Sequence, residues 1–252
     1  MNGSHAGGGS TQTISVVIPA LNEEKLLPGM LAQFTRELVA ENRLELVVSD
    51  GGSSDRTLEI AREGAHVVVE NAGGERQTIA MGRNRGAERA SGEILVFLCA
   101  DTRVADIGRF FATIRREIGK PGVVALSCPV TVYPEEETAA DRAYHGFYNW
   151  LFMMMNRVGM GMGRGECHIM LRSTYRNAGG YAERIAAGED YELYSRLEKL
   201  GRVLFLRELH VYESPRRYRY FGYARVTSAW FMNFLSVFFL KRSLRKEWKP
   251  IR

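Results

Sequence analysis

Five short polar clusters are spaced along this 252-residue chain: Asn22-Glu23, Asp50 within S-D-G-G-S-S-D, Arg83 within G-R-N-R-G, Asp101 within C-A-D-T, and Glu189-Asp190 within A-G-E-D-Y. Ionised carboxylates accept hydrogen bonds and bind hard cations. A guanidinium forks onto phosphate oxygens, and a carboxylate held beside a hydroxyl can take its proton. Each cluster also has a plainer explanation. Asn22, Asp50, Asp55 and Asp101 are residue types that cap helices and tighten turns, and Glu189-Asp190 suits the positive end of a helix. What separates the two explanations is whether the clusters meet in space.

Their flanking segments imply that several do. Residues 13 to 19 (T-I-S-V-V-I-P) form a β-branched run ended by proline, followed by a helical pattern through Leu26, Leu27, Met30, Leu31 and Phe34. Leu44 to Val48 predicts a second strand, Thr57 to Glu63 a helix and His66 to Val69 a third strand. A helix over about 78 to 89 stops at Ser91-Gly92, and Ile94 to Leu98 is apolar throughout. Continuous apolar strands alternating with helices imply a mostly parallel sheet covered on both faces. Ligands of such sheets sit beyond the carboxyl ends of the strands. Asn22-Glu23, Asp50 and Asp101 directly follow strands and Arg83 to Gly86 precedes one, so all four fall at one edge.

The second half is less regular. It predicts a helix at about 105 to 118, strands near 123 to 132, an aromatic and methionine-rich helix from about 138 to 158, and a glycine-rich loop entering a strand at Cys167 to Leu171. A further helix begins near Gly188 and runs to Leu200, with a short strand at Val203 to Leu206. No repeat of fixed period is present. The three cysteines, Cys99, Cys128 and Cys167, lack C-x-x-C spacing, which excludes a disulfide scaffold or structural zinc module and suits a reducing compartment. Residues 1 to 12 lack the apolar core of a signal peptide and read as a disordered tag or linker.

Five stretches, V-V-I-P-A-L-N-E-E (16 to 24), V-V-S-D-G-G-S-S-D-R-T (47 to 57), G-R-N-R-G-A-E-R-A-S-G-E (82 to 93), F-L-C-A-D-T (97 to 102) and G-G-Y with A-G-E-D-Y-E-L (179 to 193), follow one another in order. In this the chain resembles the inverting glycosyltransferases of family 2, over roughly residues 13 to 212. The resemblance implies an α/β GT-A (Rossmann-like) fold, a mostly parallel sheet flanked by helices, with a domain over 13 to 213. It implies a nucleoside-diphosphate sugar donor, UDP- or GDP-linked, with Pro19, Ala20, Asn22, Glu23, Asp50, Gly51 and Ala100 about the nucleotide and Arg83 near the diphosphate. Asp101 matches the last acid of the family's D-x-D motif, which holds Mg²⁺ or Mn²⁺; Cys99 stands where the first acid belongs. His210 is similar to a histidine that completes the metal shell in some relatives. Glu189 and Asp190 match the acidic pair beside the acceptor, with Asp190 as general base. Rival expectations on the same fold are a polyprenyl-phosphate sugar transferase, a nucleotidyltransferase and a non-catalytic binding or scaffold protein.

The net charge of +5 is local. Residues 216 to 252 hold 10 Lys or Arg against one acid, Glu247, while the rest carries 24 against 28. From Val226 to Leu240 no residue is charged, but 15 residues broken by Thr227, Ser228, Asn233 and Ser236 fall short of the ~20 needed to cross a bilayer. Aromatic rings beside Arg and Lys suit a membrane interface. Residues 214 to 252 are therefore expected to be a basic, aromatic helical extension that contacts a membrane surface, the domain itself or a second subunit in a homodimer. Nucleic acid is not expected, since the apolar run has no use there. A lipid-facing extension would imply a lipid-linked or membrane-borne saccharide or hydroxyl acceptor and a cytoplasmic chain peripheral at the inner face of the membrane.

Overall fold

The computed structural model describes residues 12–71, 73, 77–240 and 242–243. In the first half, β1 (Ile14–Ala20), α1 (Leu27–Leu31), α2 (Arg36–Glu41), β2 (Leu44–Asp50), α3 (Thr57–Gly64), β3 (Val67–Val69), α4 (Ile79–Arg89) and β4 (Ile94–Leu98) follow in order. Then come β5 (Arg103–Val104), α5 (Ile107–Ile118), β6 (Val123–Ser127), β7 (Val130–Val132), α6 (Ala139–Arg157), β8 (Cys167–Leu171) and α7 (Arg172–Asn177). The chain continues through α8 (Glu189–Leu197), β9 (Arg202–Phe205), β10 (Val211–Glu213), α9 (Arg216–Phe221) and α10 (Tyr223–Leu240).

Seven strands form a mostly parallel sheet in the order β3-β2-β1-β4-β8-β6-β9, with β8 antiparallel to both neighbours. β1 and β4 are almost wholly buried, as their unbroken apolar runs require. One apolar cluster joins Val16, Ile18, Val96 and Ile169 to Phe110, Phe111 and Ile114 of α5; the other joins Val17, Val47 and Phe97 to Ala80 and Ala87 of α4 and Leu193 and Tyr194 of α8. α4 lies so close on β1 that a Cβ at Gly86 would meet Val17 Cγ1 at 2.4 Å, so only glycine fits there. Three short strands, β5-β10-β7, form a second sheet.

Three local expectations are altered. The periodic run from Leu26 to Phe34 is not one helix: α1 ends at Leu31, and Thr35 starts α2 by accepting a hydrogen bond from Leu38 N. The region from 123 to 132 is two strands in two different sheets, divided at Cys128-Pro129, where proline removes a ladder donor. Residues 1 to 11, read as most of a linker, lie outside the described residues, as do residues 244 to 252 of the basic end.

Candidate functional site

β1 and β2 run in parallel register, with Pro19 opposite Ser49 and Ala20 opposite Asp50, so their carboxyl ends finish side by side. Beyond them lies a cavity of about 570 Å³. Its walls bring together Pro19, Ala20, Glu23, Gly51, Arg83, Ala100, Asp101, Glu189 and Asp190. Asn22 and Asp50 are not among its walls. Asn22, at φ 52°, accepts from Ser54 N at 2.7 Å, and the buried Asp50 accepts from Gly52 N at 2.9 Å and Ser53 N at 3.0 Å. Both brace the 51–54 loop from behind, and Gly51 N in turn donates to Ala20 O at 2.8 Å.

Asp101 follows β4, and its Oδ2 lies 3.1 Å from Arg216 Nη2 at the start of α9. The same guanidinium reaches Glu23 through Nη1 at 3.2 Å and Nη2 at 2.9 Å. Burial raises the Asp101 carboxyl above its ordinary range; Arg216 opposes this, while Glu23 and Glu166 add to it. His210 does not join this group. Its Nε2 is hydrogen-bonded to Thr131 Oγ1 at 2.8 Å, and the expected metal ligand is thereby directed onto β7, because the β5-β10-β7 ladder sets its side chain on that neighbouring strand. Among the described residues no three His, Cys, Asp or Glu side chains form a metal cluster.

Arg83, expected near the diphosphate, lines the cavity and commits its guanidinium to partners within the protein. The side chain is 1% exposed, its Nη1 donates to Glu189 Oε1 at 2.7 Å and its Nη2 to Gly165 O at 2.6 Å. Both ends of the fork are bonded inside the protein, and its charge acts on Glu189 and Asp190 at the cavity. Cys99 supplies no acid here; its thiol lies 3.3 Å from Gly165 O, and burial pushes it well up.

Gly188, at φ 86°, turns the chain into α8 and presents Glu189-Asp190. A Cβ there would meet Tyr191 Oη at 2.0 Å, so this close turn requires glycine. Asp190 Oδ1 accepts from Tyr191 N at 2.9 Å. Burial and the neighbouring Glu189 carboxylate push Asp190 up to about 7, against the pull of Arg83.

Two parts of the cavity were not foreseen. Arg164 is 5% exposed and donates to Glu213 Oε1 at 2.6 Å, with Glu166 Oε2 3.3 Å from its Nε. Burial and the Glu166 carboxylate raise Glu213 well above the ordinary carboxylate range, whereas the Arg164 charge lowers Glu166. The second part is the far wall. Arg216, Arg217, Trp230, Phe231, Asn233 and Phe234 come from α9 and α10, so the expected division after residue 213 runs through the cavity. Asn233 Nδ2 donates to Ala187 O at 2.6 Å and Tyr191 Oη at 2.9 Å, tying α10 to the Gly188 turn. The only advance signal for this wall was an aromatic run of unassigned partner.

Residues 15–175 match the family described as Glycosyl transferase family 2. Among curated proteins, the chain is 41% identical over 101 residues to the 4,4'-diaponeurosporenoate glycosyltransferase of Staphylococcus haemolyticus, covering 38% of this chain and 26% of that one. It is 33% identical over 145 residues to Glycosyltransferase AglE of Haloferax volcanii, covering 54% and 45%. The chain thus spans less than half the length of both. Among solved structures, the mannosyltransferase PcManGT from Pyrobaculum calidifontis, in complex with GDP-Man and Mn²⁺, superposes with a TM-score of 0.64 at 23% identity over 81% of this chain and 57% of that one. Glucosyl-3-phosphoglycerate synthase from Mycobacterium tuberculosis, with Mn²⁺, UDP and glucosyl-3-phosphoglycerate, gives 0.59 at 18% identity over 92% and 80%. These likenesses share the α/β architecture with its mostly parallel sheet, and the family match covers well over half of the sequence: the chain belongs to glycosyl transferase family 2.

Proposed function

We propose that the chain is a glycosyltransferase that moves a sugar from a nucleoside-diphosphate sugar to a hydroxyl acceptor with inversion, Asp190 acting as general base. One observation carries this reading: Asp101 and Asp190, 89 residues apart in sequence, face a single cavity in which Asp190 is tuned to about 7. A base with that proton affinity is ionised in useful amount near neutrality yet still basic enough to accept a proton. Asp190 Oδ1 is held by Tyr191 N, which leaves Oδ2 for the acceptor hydroxyl. As the acceptor oxygen bonds to the anomeric carbon, its proton passes to Asp190 and the bond from that carbon to the diphosphate oxygen breaks. Attack from the face opposite the leaving diphosphate inverts the centre in one displacement. Pro19, Ala20, Glu23, Gly51 and Ala100 form the nucleotide end, and Asn22 and Asp50 hold its loop in shape.

The family resemblance implies Mg²⁺ or Mn²⁺. Glu23 and Asp101 fit such an ion, for they already share one positive centre, the Arg216 guanidinium, as a stand-in cation. They would hold the metal, which supplies charge neutralisation for the departing diphosphate. Calorimetry with UDP- and GDP-sugars, with and without Mn²⁺, tests the reading together with single-turnover transfer by Asp190→Asn. Retained donor binding with a large loss of transfer is expected; absence of nucleotide-sugar binding under every condition would favour a scaffold instead.

A further inference from the structure

The cavity has a second, apolar end. Tyr148, Phe152 and Met155 fall at i, i+4 and i+7 on α6 and so share one helix face, and all three line the cavity. Trp230 and Phe234, i and i+4 on α10, face them, with Trp230 and Tyr148 rings 6.0 Å apart. Phe234 stacks edgewise on Tyr191, 5.4 Å between centroids, and Tyr191 adjoins Asp190. The rings therefore form a continuous apolar wall ending at the proposed base.

Phe231 connects this wall to the outside. It lines the cavity and is also 59% exposed, and elsewhere on the same two helices Phe147, Trp150, Met232 and Phe239 are more than half exposed. A ring that is exposed and also lines a cavity gives its apolar wall an opening to the outside, where exposed apolar side chains mark contact with something apolar. Among the described residues no helix is long and apolar enough to cross a membrane, so the rings can dip into a lipid surface but not span it.

We propose that the acceptor is a hydroxyl on a long apolar chain, drawn from a lipid surface through the α6–α10 mouth so that the chain lies along Phe152, Trp230 and Phe234 and the hydroxyl reaches Asp190. This rests on the glycosyltransferase reading and names its acceptor class. Phe152, Met155 and Phe234 offer no hydrogen-bonding group along this wall, which suits an apolar chain.

Tryptophan fluorescence of the full chain titrated with farnesol, and separately with maltose, tests the class. Farnesol is expected to give a saturable change and maltose none. Phe234→Ser, inside the wall, and Phe231→Ser, at the exposed mouth where folding is not at stake, should each weaken farnesol binding by about tenfold or more while UDP or GDP binding persists. Unchanged farnesol affinity in both variants, or binding of maltose instead, overturns the proposal. Nucleotide binding without farnesol binding sinks this inference alone, whereas loss of both sinks the glycosyltransferase reading beneath it. Co-sedimentation with phosphatidylcholine vesicles distinguishes the source: stronger binding when the vesicles contain farnesol supports extraction from lipid. Equal sedimentation without farnesol would mean mere surface adhesion, and binding of free farnesol only would remove the lipid surface from the proposal.

Discussion

Arg83 Nη1 lies 2.7 Å from Glu189 Oε1, and both side chains are almost wholly shut off from solvent, so a helix of the nucleotide half and the acid beside the proposed base form one buried ion pair. The pair joins elements 106 residues apart and hangs the turn before α8 on the sheet. Truncating one member strands the other charge. Arg83→Met should therefore lower stability by about 3–5 kcal/mol, read by chemical denaturation. Arg83→Lys should cost less, since it keeps the charge but not the fork that also reaches Gly165 O.

The raised Asp190 fixes the direction of two pH effects. Transfer should climb with pH through about 7 as the base ionises. Stability should run the other way. With the folded value above the unfolded one, the native state holds the extra proton, so the stabilisation present at low pH is lost as pH rises towards about 7. Asp190→Asn cannot ionise and should escape that loss. Melting temperatures of the two proteins at pH 5 and pH 8 check this: the variant should gain on the native chain at the higher pH, and a constant difference would refute the shift.

Arg216 offers a separate handle on the opposite end of the cavity. With its guanidinium on both Glu23 and Asp101, a divalent cation must displace a resident charge. Arg216→Ala should bind Mn²⁺ more tightly than the native chain, measured by electron paramagnetic resonance of free Mn²⁺ without any donor sugar. Weaker binding in the variant would show that the carboxylates and the arginine act together rather than in competition.

The first half of the fold was legible because apolar runs such as Ile94 to Leu98 and polar turns such as 50–55 alternate at the spacing of a parallel sheet. Strand direction was not: Cys167 to Leu171 is nearly as buried as β4, and a strand buried on both faces carries no mark of its direction, so the antiparallel pairing of β8 stayed hidden. The site divides in the same way. Asp101 and Asp190 could be found as acids at the ends of elements. The partners that Arg83 and Asp101 take lie 106 and 115 positions away, and no local pattern reports such pairings. His210 misled for a related reason, since its position after an expected strand fixes neither the neighbour nor the face.

The Arg164 cluster makes a prediction about substitution asymmetry. Burial pushes Glu213 well above the ordinary carboxylate range while Arg164 lowers Glu166, so the neutral, hydrogen-bonding amide of Glu213→Gln should be tolerated. Its melting temperature near pH 7 should stay close to the native value. Arg164→Met leaves Glu166 charged and buried without its cation and should cost about 3–5 kcal/mol. If both substitutions were equally damaging, the upward shift of Glu213 would be refuted.

Asn233 tests whether α10 acts in the site or only encloses it. Its Nδ2 bonds Ala187 O and Tyr191 Oη on either side of the Glu189-Asp190 pair, and its Oδ1 accepts from Ser243 Oγ at 2.9 Å, so one amide ties the end of the chain to the turn carrying the base. Asn233→Ala removes both donors and leaves the Ala187 carbonyl short of a partner, a loss of about 1–3 kcal/mol. Because the Gly188 turn sits at positive φ with Tyr191 Oη pressed against it, slackening there should move Asp190 more than it moves the nucleotide end. The expected result is a fall in kcat and a displaced pH midpoint for transfer, with UDP or GDP affinity unchanged. Asn233→Asp should be worse than alanine, since it sets a second acceptor against Ala187 O and a second negative charge near Asp190. Transfer at the native rate and pH midpoint by the alanine variant would reduce α10 to a wall.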